Sequence, residues 1–234
     1  MLKKLKKQVY EANMALPKHK LVIFTWGNVS GIDRKRGLFV IKPSGVPYDE
    51  LSPDDMVVMD LRGNKIEGDL KPSSDAPTHL ALYNNFYEIG GVAHTHSAYA
   101  VSCAQAGIPI IPMGTTHADH FYKKIPLTRD LTLDEINGEY EYNTGMSIVE
   151  ALRDISAPET EMPGVLVKNH GPFAWGKTAV DAVYNITVLE EVAKMFALTK
   201  LLNPDAPALS PGLMDKHFLR KHGINATYGQ ENMR

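Results

Sequence analysis

Hydrophobic positions follow a helical spacing near both ends of the chain. Close to the N-terminus, apolar residues recur at intervals of three and four, which predicts an amphipathic helix that Pro17 ends. These residues are Leu2, Leu5, Val9, Ala12 and Leu16. The longest helical pattern runs from Thr178 to about Leu202, and the turn Asn203-Pro204 stops it. A last helix is predicted over Leu213–His222.

Between these helices, short apolar runs alternate with turns rich in glycine and proline. Strands are predicted at Leu38–Lys42, Met56–Asp60, Val92–His96, Gly164–Lys168 and Phe173–Trp175. Helices are predicted from Ser74 or Asp75 to about Glu88, at Ala98–Ala106 before Gly107, and at Met146–Ile155. This irregular order favours an α/β fold, a single-domain α/β/α sandwich with a central, largely antiparallel sheet. No linker or repeat divides the chain, so one domain is predicted over residues 1–234.

Composition excludes several classes of protein. The 234 residues are 44% hydrophobic and 22% charged, which is ordinary for a globular protein and argues against disorder. The net charge is −2 without a basic block, so no nucleic-acid partner is expected. No run approaches the ~20 apolar residues of a membrane span, and no membrane partner is expected. Cys103 is the only cysteine, which excludes an intramolecular disulfide and favours a reducing, cytoplasmic location.

The sequence His94-Thr95-His96 follows an apolar run and carries the strongest chemical signal. In a strand, residues two apart point to the same face, so both imidazoles would project together. His170 follows a second apolar run, and Asp75 heads a predicted helix. Together they predict a divalent metal site for zinc, manganese, cobalt or iron. The alternative is a hydrogen-bonded pair of surface histidines, since spacing alone does not bring the third histidine near the others.

Three small polar turns carry the hydroxyl, amide and main-chain N–H groups that a phosphate binds. The turns are Gly27-Asn28, Ser44-Gly45 and Ser73-Ser74. Lys42 could supply a cation beside the second turn. Each turn alone also fits an ordinary structural role. The chain has neither GxxxxGK[ST] nor GxGxxG, so ATP and dinucleotides are not expected ligands.

Eight ordered stretches resemble the class II aldolase/adducin superfamily and, within it, the L-ribulose-5-phosphate 4-epimerase branch. They are Leu21–Ser30, Phe39–Gly45, Lys71–His79, Gly91–Ser97, Gly114–Asp119, Glu135–Tyr140, Met162–Gly176 and His217–Gln230. The resemblance covers essentially the whole chain. It implies the class II aldolase-like fold, a sugar-phosphate substrate, and a homotetramer of fourfold symmetry with active sites at the subunit interfaces.

The resemblance also implies roles for individual residues. Zinc, one ion per subunit with manganese or cobalt as alternatives, would be bound by His94, His96 and His170, with Asp75 as a further ligand or near neighbour. The substrate phosphate would be held by Gly27, Asn28, Ser44, Gly45, Ser73 and Ser74, with Lys42 as an addition. Asp119 and Tyr228 would form an acid/base pair. Without the resemblance, Asp119 fits a turn cap and Tyr228 fits simple packing. Glu141 and His217 are weaker candidates for the site.

The expected reaction interconverts L-ribulose 5-phosphate and D-xylulose 5-phosphate by metal-assisted retro-aldol cleavage and re-addition at C4. One alternative is a class II sugar-phosphate aldolase that releases the two fragments. Such aldolases usually carry a glutamate where this chain has Asp75. Another is a non-catalytic adducin-like binding module, in which the histidine ligands are typically lost. If the resemblance is misleading, the alternative is a metal-dependent hydrolase with another fold.

Overall fold

A seven-stranded sheet forms the centre of the molecule. The computed structural model describes residues 2–223 and 226. The strands are β1 Asn28–Asp33, β2 Leu38–Ile41, β3 Val57–Asp60, β4 Lys65–Glu67, β5 Gly91–His94, β6 Gly164–Val167 and β7 Gly171–Gly176. Their order is β4-β3-β2-β1-β5-β7-β6, and every neighbouring pair is antiparallel. The predicted antiparallel sheet is confirmed.

Helices cover both faces of this sheet. They are α1 Lys3–Lys18, α2 Ala76–Asn85, α3 Ala98–Gln105, α4 Thr115–Ala118, α5 Leu133–Asn137, α6 Tyr140–Asp154, α7 Ala179–Leu202 and α8 Pro211–His222. Two short 3-10 turns, Tyr48–Glu50 and Pro53–Asp55, precede β3. Among the described residues, no helix combines the length and the hydrophobicity needed to cross a membrane.

Alternation along the strands divides the core into two layers. In β2, Phe39 and Ile41 point into the layer formed with α2 and α6. Val40, between them, points into the opposite layer, where it joins apolar residues of α1 and α7. This period of two buries both faces of the strand under helices. The predicted α/β/α arrangement therefore follows from the sequence pattern itself.

Several element boundaries differ from the prediction. Pro17 lies inside α1, which ends at Lys18, because a proline in the last turn removes only one N–H donor. Helix α2 ends at Asn85 instead of continuing to Glu88. The Arg34 guanidinium donates hydrogen bonds of 2.6–3.0 Å to three carbonyl groups around this end, those of Tyr83, Phe86 and Ile89.

Strand β1 is missing from the prediction because its sequence is unusually polar. It reads NVSGID, yet five of its six residues are buried. Asn28 and Ser30 are hydrogen-bonded inside the protein, which offsets the cost of burying them. β5 is shorter than predicted and ends at His94, so His96 lies in the link to α3. Strand β4 and helices α4 and α5 were also not predicted.

Candidate active site

Three histidines from two parts of the chain meet where the interior strand β5 ends and β7 begins. His94 is the last residue of β5, and His96 lies in the link that follows. His170 lies in the turn between β6 and β7. Ligand nitrogens of the three side chains lie within 4.8 Å of one another. The Nε2 atoms of His94 and His96 are 3.0 Å apart.

The chemistry of these side chains fits a divalent metal. His94 Nδ1 lies 3.0 Å from the carbonyl oxygen of Pro172, so Nδ1 carries the proton and Nε2 offers its lone pair. Burial lowers the pKa of His94 and of His170, which keeps both imidazoles neutral. Two nitrogens bound to one tetrahedral zinc ion stand about 3.3 Å apart, close to the observed separation.

Asp75 occupies the N-cap position of α2, but its side chain makes no capping hydrogen bond. Its carboxylate instead accepts a hydrogen bond of 2.6 Å from the Asn28 side-chain amide. Burial opposes ionisation of Asp75, but in the acid range where this carboxylate titrates the charges of His94 and His79, together with the Asn28 amide, outweigh burial and lower the pKa. The structure therefore places a carboxylate beside the histidines instead of using it as a helix cap.

A cleft of about 390 Å3 opens beside the histidines. It is lined by every residue that the sequence suggested for phosphate, namely Gly27, Asn28, Lys42, Ser44, Gly45, Ser73 and Ser74. Asp75, His96 and His170 line the same cleft. The pairing of β1 with β5 sets Asn28 directly opposite His94, so the sheet register joins the two groups of residues.

Lys42 is the cation of the cleft, and it is only 1% exposed. Its ammonium group donates to the carbonyl oxygen of Val46 at 2.8 Å and lies 4.9 Å from the ring centre of Tyr48. Burial lowers the pKa of Lys42 to about 8. No carboxylate in the described part of the chain lies within ion-pair distance of Lys42. The charge is therefore available to an anion.

Gly27 has a structural reason to be glycine. Its φ is +74°, and a Cβ atom there would lie 2.8 Å from the carbonyl oxygen of His94. A larger residue would therefore push the turn away from the strand that carries His94. The neighbouring Asn28 donates a hydrogen bond of 3.0 Å to the Ser73 hydroxyl, which ties two of the polar turns together.

Asp119 does not line the cleft of this chain. It accepts hydrogen bonds of 3.0 Å from His217 Nδ1 and from Arg220, and Lys221 lies 3.6 Å away. Burial alone would raise its pKa, but these donors lower it, so Asp119 is ionised at neutral pH. Tyr228 lies outside the described residues. The single chain therefore does not bring Asp119 to the cleft that holds His96 and His170.

Several cleft residues gave only a weak signal in the sequence or none. Trp26 and Tyr140 line the cleft, and the Trp26 ring centre lies 6.0 Å from that of His96. Both residues fall within stretches that carry the resemblance, although neither stood out chemically. Glu141 also lines the cleft, whereas His217 is paired with Asp119.

Comparison with known proteins shows which family has this fold. The profile of the Class II Aldolase and Adducin N-terminal domain matches residues 7–197. An L-fuculose 1-phosphate aldolase has 25% identity and a TM-score of 0.77, over 92% of this chain and 94% of that one. The enzyme of that name from Thermus thermophilus has 25% identity and a TM-score of 0.69, over 88% and 99%.

A sugar-phosphate aldolase from Thermotoga maritima shares the fold at 17% identity. Its TM-score is 0.66, and the match covers 86% of this chain and 96% of that one. The family profile spans most of the chain, including both segments that supply the three histidines. The chain therefore belongs to the class II aldolase and adducin N-terminal domain family.

Proposed function

We propose that this protein is an L-ribulose-5-phosphate 4-epimerase that interconverts L-ribulose 5-phosphate and D-xylulose 5-phosphate. The observation that carries the proposal is a cleft that unites His96, His170 and Asp75 with Lys42 and the polar turns, with His94 buried directly behind it in the histidine group. Such a cleft suits a substrate with oxygen atoms for a metal at one end and a phosphate at the other.

Inversion at C4 needs carbon–carbon cleavage, because the C4 hydrogen is not adjacent to the C2 carbonyl. A zinc ion bound by His94, His96 and His170 would polarise the C2 and C3 oxygens and so stabilise charge that develops at C3. Lys42 and the serine turns would hold the phosphate of the second fragment, glycolaldehyde phosphate. Retention of that fragment allows its aldehyde to rotate and present the other face.

Two proton carriers are required, since the C4 oxygen occupies different positions in the two epimers. Asp119 can accept a proton because it is ionised at neutral pH, although its lowered pKa makes it a weaker base than a free aspartate. Tyr228 is proposed as the second carrier, on the opposite side of the substrate. The hydrogen bond from His217 would hold the Asp119 carboxylate in a fixed orientation.

The proposed site is shared between subunits of a homotetramer. Asp119 lies outside the cleft of its own chain, so a neighbouring chain would have to supply it. Ile23, Phe24 and Trp26, beside the cleft, are 58%, 78% and 48% exposed. Exposed apolar side chains grouped in this way are typical of a surface that another molecule covers. Both observations support an interface at the site.

A second candidate is a sugar-phosphate aldolase. It is favoured by the names of the two structures with 25% identity, both L-fuculose-1-phosphate aldolases. The two reactions share the cleavage step and differ in whether the fragments rejoin. Asp75 in place of the usual aldolase glutamate, and the presence of Asp119 and Tyr228, favour the epimerase.

Incubation of the purified protein with L-ribulose 5-phosphate, with and without a chelator, tests the proposal. Chelator-sensitive formation of D-xylulose 5-phosphate is the expected result. Accumulation of free glycolaldehyde phosphate would assign the protein to the aldolases instead. No turnover of this substrate by zinc-loaded protein would contradict the epimerase and would mean that the fold serves another sugar phosphate or binding alone.

A further inference from the structure

Glu190 on α7 caps a different helix. Its two carboxylate oxygens accept hydrogen bonds of 2.9 Å from the main-chain N–H groups of Tyr99 and Ala100. These are the second and third residues of α3, whose first-turn N–H groups have no partner within their own helix. A negative charge at this end also interacts favourably with the helix dipole.

The local N-cap residue does not cap α3. Ser97 occupies the N-cap position, but its side chain makes no capping hydrogen bond. Its hydroxyl instead accepts a hydrogen bond of 3.2 Å from Thr95. The start of α3 therefore depends on a carboxylate that is 90 or more positions away in the sequence.

The start of α3 lies directly after a candidate metal ligand. His94 is fixed by the ladders of β5 and by its contact with the Pro172 carbonyl oxygen. His96 lies outside the strand, because β5 ends at His94 and α3 begins at Ala98. On the strand side, the link is held by the Thr95 N–H, which donates to the Pro172 carbonyl oxygen at 3.4 Å. Only a three-residue link carries His96, and Glu190 anchors the end of that link.

We propose that Glu190 is a positioning residue that holds His96 in place for the metal. The proposal rests on the metal site described under the proposed function. Loss of the Glu190 carboxylate would free the start of α3 and the His96 link, while His94 and His170 keep their own supports. Metal binding would then have to order His96, which weakens affinity.

Zinc affinity of Glu190→Gln, measured by competition with a chromophoric chelator, tests the proposal. Glutamine keeps the size of the side chain, but its NH2 group would face a main-chain N–H donor. Affinity should fall about ten- to a hundredfold. Glu191→Gln is the matched control, since Glu191 is the exposed neighbour on α7 and its loss changes the net charge equally. It should bind zinc like the wild type.

A second test, in a protein that lacks His96, distinguishes positioning of His96 from a general loss of stability. A His96→Ala protein would keep only weak zinc binding by the two remaining imidazoles, which direct titration at high zinc concentration measures. In that protein, the further substitution Glu190→Gln should change this residual affinity less than about twofold, because the two residues act through one another. If Glu190→Gln fails to fold as apoprotein, Glu190→Asp carries the same test, since it keeps the charge but shortens the reach. The expected loss of affinity is then smaller but again confined to proteins that retain His96.

The outcomes distinguish this inference from the proposed function. A wild-type protein that binds no zinc would contradict the metal site itself. Tight zinc binding by both wild type and Glu190→Gln would overturn only the role of Glu190. Equal losses in the wild-type and His96→Ala backgrounds would likewise overturn it, because Glu190 would then act on the whole fold.

Discussion

The Nε2 atoms of His94 and His96 lie 3.0 Å apart although only His94 belongs to β5. His94 Nε2 offers a lone pair, because its other nitrogen donates to the Pro172 carbonyl oxygen. A cation between the two nitrogens would be shared by both rings. His170 completes the group from the opposite turn, with its ring centre 4.7 Å from that of His94.

Removal of one ligand should therefore empty the site. His170→Ala is expected to lose stoichiometric zinc, because two imidazoles leave the ion with too few protein ligands. Metal analysis after gel filtration measures this, and turnover should be lost with the metal. His19→Ala is the control, since His19 is exposed at the end of α1. One zinc per chain in both variants would contradict the assignment.

Lys42 should control affinity for the phosphate. Lys42→Met removes a charge that no described carboxylate neutralises. The loss of one charged hydrogen bond to the phosphate should raise KM tenfold or more. Burial lowers the pKa of Lys42 to about 8. In the wild type, KM should therefore rise above about pH 8, by up to about tenfold per pH unit.

The Lys42→Met variant should lose this rise of KM at high pH, because it has no ammonium group to deprotonate. Steady-state kinetics over a range of pH values measures both effects. Lys35→Met, which removes an exposed lysine outside the cleft, should behave like the wild type. An unchanged pH profile in Lys42→Met would exclude Lys42 as the phosphate cation.

Asp119 should contribute to stability as well as to turnover. Its carboxylate ties α4 to α8 through His217 and Arg220, so Asp119→Asn should lower the free energy of unfolding by about 1–3 kcal/mol. The pKa of Asp119 is lowered in the folded protein. This stabilisation is thus present above about pH 4, the unfolded value, and is lost as pH falls through the folded pKa.

Urea unfolding of the two proteins should consequently differ at neutral pH and converge in acid. Zinc content should stay unchanged, because Asp119 lies outside the cleft. Asp69→Asn, at an exposed position, provides the control. A variant with full stability and full turnover would leave Asp119 without either role.

Mixing two inactive variants tests whether the site is shared. Each His94→Ala chain would keep Asp119, and each Asp119→Asn chain would keep the histidines. If neighbours exchange these residues, an equal mixture that is allowed to reassemble should regain activity at about a quarter of its sites. A site built within one chain would give no recovery, since every chain carries one lesion.

The sequence predicted the residues of the cleft better than their surroundings. The three histidines and the polar turns stood out because their chemistry is local to short motifs. Ser30 did not, because its burial depends on partners in α2 that are about fifty positions away. The same holds for the hydrogen bonds from α3 to Glu190. Hydrophobic periodicity locates elements but carries no information on which distant polar groups pair.

The predicted end of strand β5 was wrong for a related reason. The apolar run through Val92–His96 predicted a strand that includes both histidines, but β5 stops at His94. The ladder with β7 reaches His94 opposite Phe173. Strand length is therefore set by the partner strand, which a single segment does not reveal. Whether Asp119 lines the cleft likewise depends on the whole folded chain, and its own short segment does not reveal it.

A buried hydrogen-bond chain beneath the cleft should make stability depend on pH. The hydroxyl of Ser30 lies 2.7 Å from His79 Nδ1 and 2.7 Å from the Tyr83 hydroxyl. His79 is fully buried, and burial lowers its pKa to about 4, although the charge of Asp75 acts in the opposite direction. His79 is consequently neutral in the folded protein at neutral pH.

The pKa of His79 in the folded protein lies below its unfolded value of about 6.5. At pH values between these two, only the unfolded chain binds this proton. Stability should then fall as pH drops from about 6.5 towards 4, with roughly 3 kcal/mol from His79 alone.

His79→Gln keeps a polar partner for Ser30 but does not titrate, so the slope of its unfolding free energy against pH should be shallower by up to one proton. Urea unfolding of the zinc-free proteins between about pH 4 and 7 measures the slopes. His19→Gln, at an exposed site, is the control. Equal slopes in His79→Gln and wild type would mean that His79 takes up its proton without unfolding, and that water reaches the ring in the native state.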